Sequence, residues 1–224
     1  IPALAAVIVV VFFVRESPRQ KVVSEVKAAG PPRLTLRGFD GNFKSFLLIV
    51  ALFTLSNSSD AFLLLRAQSS GVSITLIPLL WAVLHVVKVG SSLVGGDLSD
   101  RLGRRRLIVS GWVLYAAVYA GFAFVTHSSS VWILFMIYGL YFGLAEGAEK
   151  ALVADLVRPD QRGTAFGLYN LAFGITVLPA SLLMGALWLW QGPATAFLVS
   201  AALGATAALL LLFMVKVRIP APSI

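Results

Sequence analysis

The chain has 224 residues, of which 58% are hydrophobic and 12% charged, and a formal net charge of +8. A water-soluble domain is nearer half apolar and a quarter charged, so this chain lacks the polar surface to cover itself in water, and lipid is the solvent that fits it. The lack of cysteine excludes disulfides, thiol catalysis and cysteine-ligated metals, and basic residues confined to short segments between apolar runs suit anionic lipid, not nucleic acid.

From the start of the chain, residues 1–14 form an apolar run too short to cross ~30 Å of hydrocarbon, which takes about 20 helical residues. No basic region or initiator Met precedes the run and Arg15 follows at once. It therefore reads as the end of a truncated transmembrane helix rather than as a signal peptide. Residues 15–44 are the one long polar connection, with Pro18, Gly30, Pro31, Pro32 and seven basic residues. Its second half, with Leu34, Leu36, Phe39 and Phe43, either lies along the membrane surface or is a plain solvated linker. Six stretches then reach spanning length: 45–66, 72–95, 107–126, 131–153, 163–187 and 193–215. Turn signals separate them at 68–71, 96–106, 127–130, 158–160 and 191–193. Helices are the only sensible reading, because open strands would leave backbone groups unpaired in lipid. The expected organisation is a helix remnant over 1–14, a cytoplasmic linker over 15–44, a six-helix bundle over 45–215 and a cytoplasmic tail over 216–224.

Lysine and arginine set the orientation. Segments 15–44, 97–106, 155–162 and 216–218 carry seven, four, two and two of them, whereas 67–71, 127–130 and 188–192 carry none. Both ends of the bundle are expected in the cytoplasm, with Arg66 alone near the outer edge and free to snorkel there.

Charges at membrane depth are costly and mark functional positions. In the first span the polar string Ser56-Asn57-Ser58-Ser59-Asp60 lies about 6–7 Å outward of the middle at ~1.5 Å per residue. It either contacts substrate or water, or satisfies a distortion of the helix. In the second span Lys88 lies ~6 Å inward of the middle; His85, one turn earlier, either relays protons or simply packs. In the fourth span Glu146 is ~6 Å inward, and Glu146, Glu149 and Lys150 share a face by i, i+3 and i+4 spacing, with Lys150 near enough to the interface to snorkel. Lys88 is expected to pair with Glu146 or Glu149. Either a carboxylate of this group takes up a proton or the pair is structural. Gly139, Gly143 and Gly147 give that span a smooth face for close packing, and Tyr138, Tyr141 and Phe142 around it pack or line a cavity. Pro78 and Pro179 are expected to bend their spans. Trp188 and Trp190, with Trp112 and Trp132, fit the aromatic belts of a membrane protein as anchors.

Two connections name a family. Between the second and third spans the chain reads Gly95-Gly96-Asp97-Leu98-Ser99-Asp100-Arg101-Leu102-Gly103-Arg104-Arg105-Arg106. Gly96 can let helices approach, Gly103 permits a turn with positive φ, Asp100 can cap a helix or pair with an arginine, and the arginines can anchor in headgroups. The stretch resembles the signature loop of the major facilitator superfamily, Gly-x-Leu-x-Asp-Arg-x-Gly-Arg-Arg/Lys, with Gly96, Leu98, Asp100, Arg101, Gly103, Arg104 and Arg105 on its defined positions. A second stretch, Pro159-Asp160-Gln161-Arg162-Gly163 with Gly167 following, resembles the entry to the fifth helix of a superfamily half.

The resemblance covers the chain from the end of helix six through helix twelve. It implies an all-α membrane fold, one six-helix half of a transporter whose N-terminal half is missing from this chain. It also implies alternating-access transport of a small solute, with a proton as the expected coupling ion. Asp60, Lys88, Glu146 and Glu149 then fall on cavity-lining helices as candidates for substrate or proton handling, and Asp100, Arg101 and Arg162 form a cytoplasmic gate in which Arg162 reaches Asp100, with Gly163 beside it. A rival reading is an assembly module with no activity until it meets a separate partner half. No zinc-ligand spacing, phosphate loop or nucleophile elbow is present, so no enzyme, cofactor or metal is expected.

Overall fold

The computed structural model describes residues 35–216, so the expected helix remnant 1–14 and most of the linker lie outside the described residues. Within them the fold is all helical, without strands, and has six helical segments long and apolar enough to cross a membrane. Helix α1 covers Gly41–Ser56. It starts inside the stretch read as linker because the Asp40 carboxylate accepts from the Phe43 N–H at 2.9 Å and supplies the N-cap. Helix α2 covers Ala61–Ser69, and α1 and α2 together make the first span. Helix α3 covers Ile77–Leu102 and α4 covers Arg104–Phe124. Helices α5, α6 and α7 cover Ser128–Asp155, Arg162–Gln191 and Pro193–Met214.

Two expectations are corrected here, for Pro78 and Arg66, and the helix distortion left open for the polar string is present. The first span is not continuous: the helix stops at Ser56 and restarts at Ala61, because Asn57, Ser58, Ser59 and Asp60 prefer local side-chain–backbone bonds to the helical ladder. Ser59 Oγ accepts from the Ala61 N–H at 3.3 Å in that way. Pro78 bends nothing, because it stands in the first turn of α3, where its missing N–H costs no hydrogen bond; Pro179 does lie inside α6. Arg66 does not snorkel outward. Its guanidinium donates to the carbonyls of Phe122 (2.9 Å), Ala123 (3.1 Å) and Val125 (3.0 Å), capping the end of α4.

Helix α4 packs between α5 and α7, α1 packs on α6 and α7, and α3 packs chiefly on α5. Large aromatic side chains fill the middle: Trp112, Tyr115, Tyr119 and Phe122 of α4, Phe135 and Tyr138 of α5, Phe197 of α7, and Phe43 and Phe46 of α1 are fully buried. The α3–α5 contact is closest. A methyl group on Gly95 would overlap the Gly143 carbonyl, and one on Gly143 would overlap the backbone of Ser91. Ser91 Oγ also donates across it to the Gly139 carbonyl at 3.0 Å. The residue of the signature loop that admits this approach is Gly95, not Gly96, which faces open space. Gly147 likewise faces open space.

Candidate functional site

The charges of the second and fourth spans meet where α3 crosses α5. Lys88 Nζ lies 3.1 Å from Glu146 Oε2, and Lys150 Nζ lies 3.1 Å from Glu146 Oε1. Lys88 also sits 3.9 Å above the Phe142 ring, a cation–π contact that replaces part of its lost hydration. Glu146 thus holds two lysines, and all three side chains stay half-exposed on one side of the bundle.

Glu149 is one turn away and differs in kind. It is 8% exposed, and Trp112 Nε1 donates to its Oε1 at 2.8 Å while the Tyr169 hydroxyl donates to Oε2 at 2.9 Å. Among the described residues it has no ion-pair partner, so Lys88 pairs with Glu146 rather than with Glu149. Trp112, read as an interfacial anchor, is fully buried and stacks on Phe53 at 4.2 Å between ring centroids. It escapes the interface because its N–H finds a carboxylate inside the bundle. Sequence reading missed both donors. Trp112 and Tyr169 lie on other helices, at no spacing that ties them to Glu149.

A cleft of about 340 Å³ opens over this cluster, lined by Asn57, Tyr141 and Phe142, by Glu146, Glu149, Lys88 and Lys150, and by Tyr169, Asn170 and Phe173 of α6. A larger cavity of about 580 Å³ between the start of α1, the α5–α6 turn and the end of α7 contains Asp40, Asn42, Asp155, Arg158 and Lys216 and none of the expected site residues. His85 lies outside the charge cluster: its Nδ1 donates to the Trp81 carbonyl at 2.9 Å and its ring packs beside Trp81.

Asp60 sits at the helix break, apart from the lysine pair. Its carboxylate accepts from the Tyr138 hydroxyl at 2.9 Å, and the Ser56 carbonyl, the last of α1, accepts from the Tyr115 hydroxyl at 2.6 Å. Tyr138 therefore does more than pack.

At the other end of the bundle, Gly103 is the only residue between α3 and α4 and holds φ at +86°, a backbone that a side chain would strain. Arg101 pairs with Asp97 on its own helix at 3.0 Å, both side chains exposed. Arg104 binds the Asp155 carboxylate and the Ala151 carbonyl of α5, and Arg105 donates to the Val215 carbonyl at 2.8 Å after the end of α7. Among the described residues Asp100 and Arg162 have no ion-pair partner, and they are not brought together. No side chain caps the start of α4, and a side chain added at Gly163 would meet open space. Arg104 and Arg105 thus tie helix ends together, while the Asp100–Arg162 contact is not formed.

The sequence pattern of the Major Facilitator Superfamily matches residues 1–149 and, in a second match, residues 45–223. An uncharacterized MFS-type transporter of Methanocaldococcus jannaschii is 36% identical over 212 residues, which is 91% of this chain and 51% of the relative. Multidrug resistance protein MdtH of Cronobacter sakazakii is 32% identical over 128 residues, 56% of this chain and 32% of its own length. MdtH of Shigella flexneri is 28% identical over 151 residues, 66% of this chain and 37% of its own length. The chain spans about half the length, or less, of these relatives.

Proposed function

This chain belongs to the Major Facilitator Superfamily, and on that premise we propose that it forms the C-terminal half of a secondary transporter, which moves a small solute by alternating access in exchange for, or together with, a proton. Glu149 carries the proton assignment. A carboxylate buried in the wall of a cleft, with two neutral donors and no ion-pair partner among the described residues, can change its protonation state without breaking an ion pair. Glu146 is held by two lysines and serves instead to fix Lys88 at the mouth. The groups facing Glu149 are Trp112 of α4, Tyr169 of α6, and Tyr141, Glu146 and Lys150 of its own helix. Aromatic walls from Tyr141, Phe142, Tyr169 and Phe173 suit an amphipathic organic solute, the class also suggested by relatives named for multidrug resistance.

The remaining half is supplied by other residues of the transporter. The apolar stretches of the spans containing α3 and α6 are each 11% buried, against 39–56% for the others, so these two helices present the faces on which a second six-helix half would pack. The positive charges of 97–106 and 155–162 support a cytoplasmic location for those turns, and those of 15–44 and 216–218 support the same for the linker and the tail. There Asp100, Arg101 and Arg162 would engage as a gate when the transporter changes state. The contact is open in the conformation seen.

The test uses the complete protein in proteoliposomes. An infrared difference spectrum between acidic and alkaline buffer shows a carboxyl band that disappears in Glu149→Gln. Ethidium movement in the same vesicles keeps its downhill component and loses its response to an imposed pH gradient. A variant whose pH-driven ethidium movement matches the parent's, with the carboxyl band intact, refutes the assignment.

A further inference from the structure

The two donors to Glu149 differ in what they can do. Trp112 lends an indole N–H, which only donates, whereas Tyr169 lends a hydroxyl, which donates or accepts. Nor can the indole turn away, because Trp112 is fully buried and stacked on Phe53. The Tyr169 ring is held too, near-parallel to Phe46 at 6.5 Å between centroids. Its hydroxyl hydrogen, however, turns about the C–O bond without moving the ring. Among the described residues the Tyr169–Glu149 bond is the only side-chain hydrogen bond between α5 and α6.

A proton added to Glu149 goes where its hydrogen finds an acceptor. On Oε1 it would compete with the indole N–H, a donor that cannot reverse. On Oε2 it meets the phenol oxygen, which accepts once its own hydrogen has turned aside. One O–H bond forms on Oε2 and none breaks on the phenol, whose freed hydrogen has the cleft beside Tyr169 and Asn170 to turn to. The other polar groups of the cleft leave this choice standing. Tyr141, Glu146 and Lys150 of its own helix, Lys88 of α3 and Asn57 make no hydrogen bond to Glu149 among the described residues, and both lysines are engaged by Glu146. A hydrogen bond to an ionised group is roughly twice as strong as one between neutral groups, so the tie between α5 and α6 weakens when the charge is lost.

We propose that Tyr169 couples the protonation of Glu149 to helix α6, its hydroxyl donating to the charged carboxylate and reversing to accept from the protonated one. The proposal rests on the reading of Glu149 as the proton acceptor. Tyr169 is a positioning residue, since its own O–H bond stays intact throughout. In the charged state it holds α6 to α5; in the protonated state the hold loosens, and the hydroxyl offers its hydrogen to the cleft instead. The helix so released is one of the two whose apolar faces are left open.

The acid-minus-alkaline infrared difference spectrum is recorded on the complete protein in proteoliposomes, with and without ring-labelled tyrosine. Beside the Glu149 carboxyl band it shows a pair of phenol C–O bands, one lost and one gained, because that stretch differs between a donating and an accepting hydroxyl. Tyr169→Phe keeps the carboxyl band and loses the phenol pair, and its ethidium movement no longer responds to an imposed pH gradient. Glu149→Gln loses both signals. A carboxyl band without a phenol pair overturns the proposal and leaves the reading of Glu149 intact. A pair that survives Tyr169→Phe does the same, as does a parental pH response in that variant. Absence of the carboxyl band overturns both. The labelled spectrum of the unaltered protein still reads the reversal if a variant misfolds.

Discussion

Arg66 holds three carbonyls with one guanidinium, at a helix end where four backbone acceptors lack partners of their own. Hydrogen bonds from a charged donor contribute roughly 1.5–3 kcal/mol net. Arg66→Ala should therefore destabilise the bundle by about 2 kcal/mol, and Arg66→Lys should recover only part of that, since an ammonium cannot span the three acceptors. Thermal unfolding in detergent measures both, and a fully stable Arg66→Lys would show that charge alone suffices. The acids of the bundle reach satisfaction by different routes: Glu146 through two lysines, Glu149 through an indole and a phenol, and Asp60 through a single phenol. All three acids and Lys88 stand out in the sequence, because a charge inside an apolar run is visible without any knowledge of the fold. Their partners do not. Trp112 lies 37 positions from Glu149 and Tyr169 lies 20, and an indole in an apolar helix looks the same whether it faces lipid or a carboxylate.

At the scale of helices, the spans were legible because their length and hydropathy are properties of contiguous residues. Interruptions were harder to read. The string Ser56 to Asp60 carries a signal for a break, five residues that all compete for backbone hydrogen bonds, yet polarity in a span also fits a solute contact. The glycine row of α5 reads as one smooth face, but the structure divides it. Gly139 and Gly143 are closed by Val87 and Ser91 of α3, while Gly147 is open. Gly143→Ala should accordingly cost about 1–3 kcal/mol, because a methyl there meets backbone that cannot move aside. Gly147→Ala, in the same motif, should be neutral or stabilising by roughly 0.5–1 kcal/mol. Unfolding midpoints of the two variants side by side decide the matter, and equal losses would remove the distinction between a packed and an open glycine.

At the scale of the whole bundle, the lack of cysteine in these 224 residues makes the orientation of each connection measurable. A single cysteine replacing Asp160, in the α5–α6 turn, should react with a membrane-impermeant maleimide only after cells are opened. One replacing Ser129, at the start of α5, should react in intact cells. The reverse pattern would invert the proposed topology. The alternation of basic and neutral connections was readable from the sequence alone, but not how the basic ones are used: Arg104 and Arg105 bind α5 and the end of α7 rather than standing free in headgroups. That arrangement bears on how the bundle can move. With Gly103 as the whole connection between α3 and α4, there is no slack to absorb a displacement of either rod. A tilt of α3 must be handed to the first turn of α4, and its two arginines pass the pull on to α5 and α7. Four helix ends are thus joined at a single mechanical node, and this end of the bundle shifts as one piece or not at all.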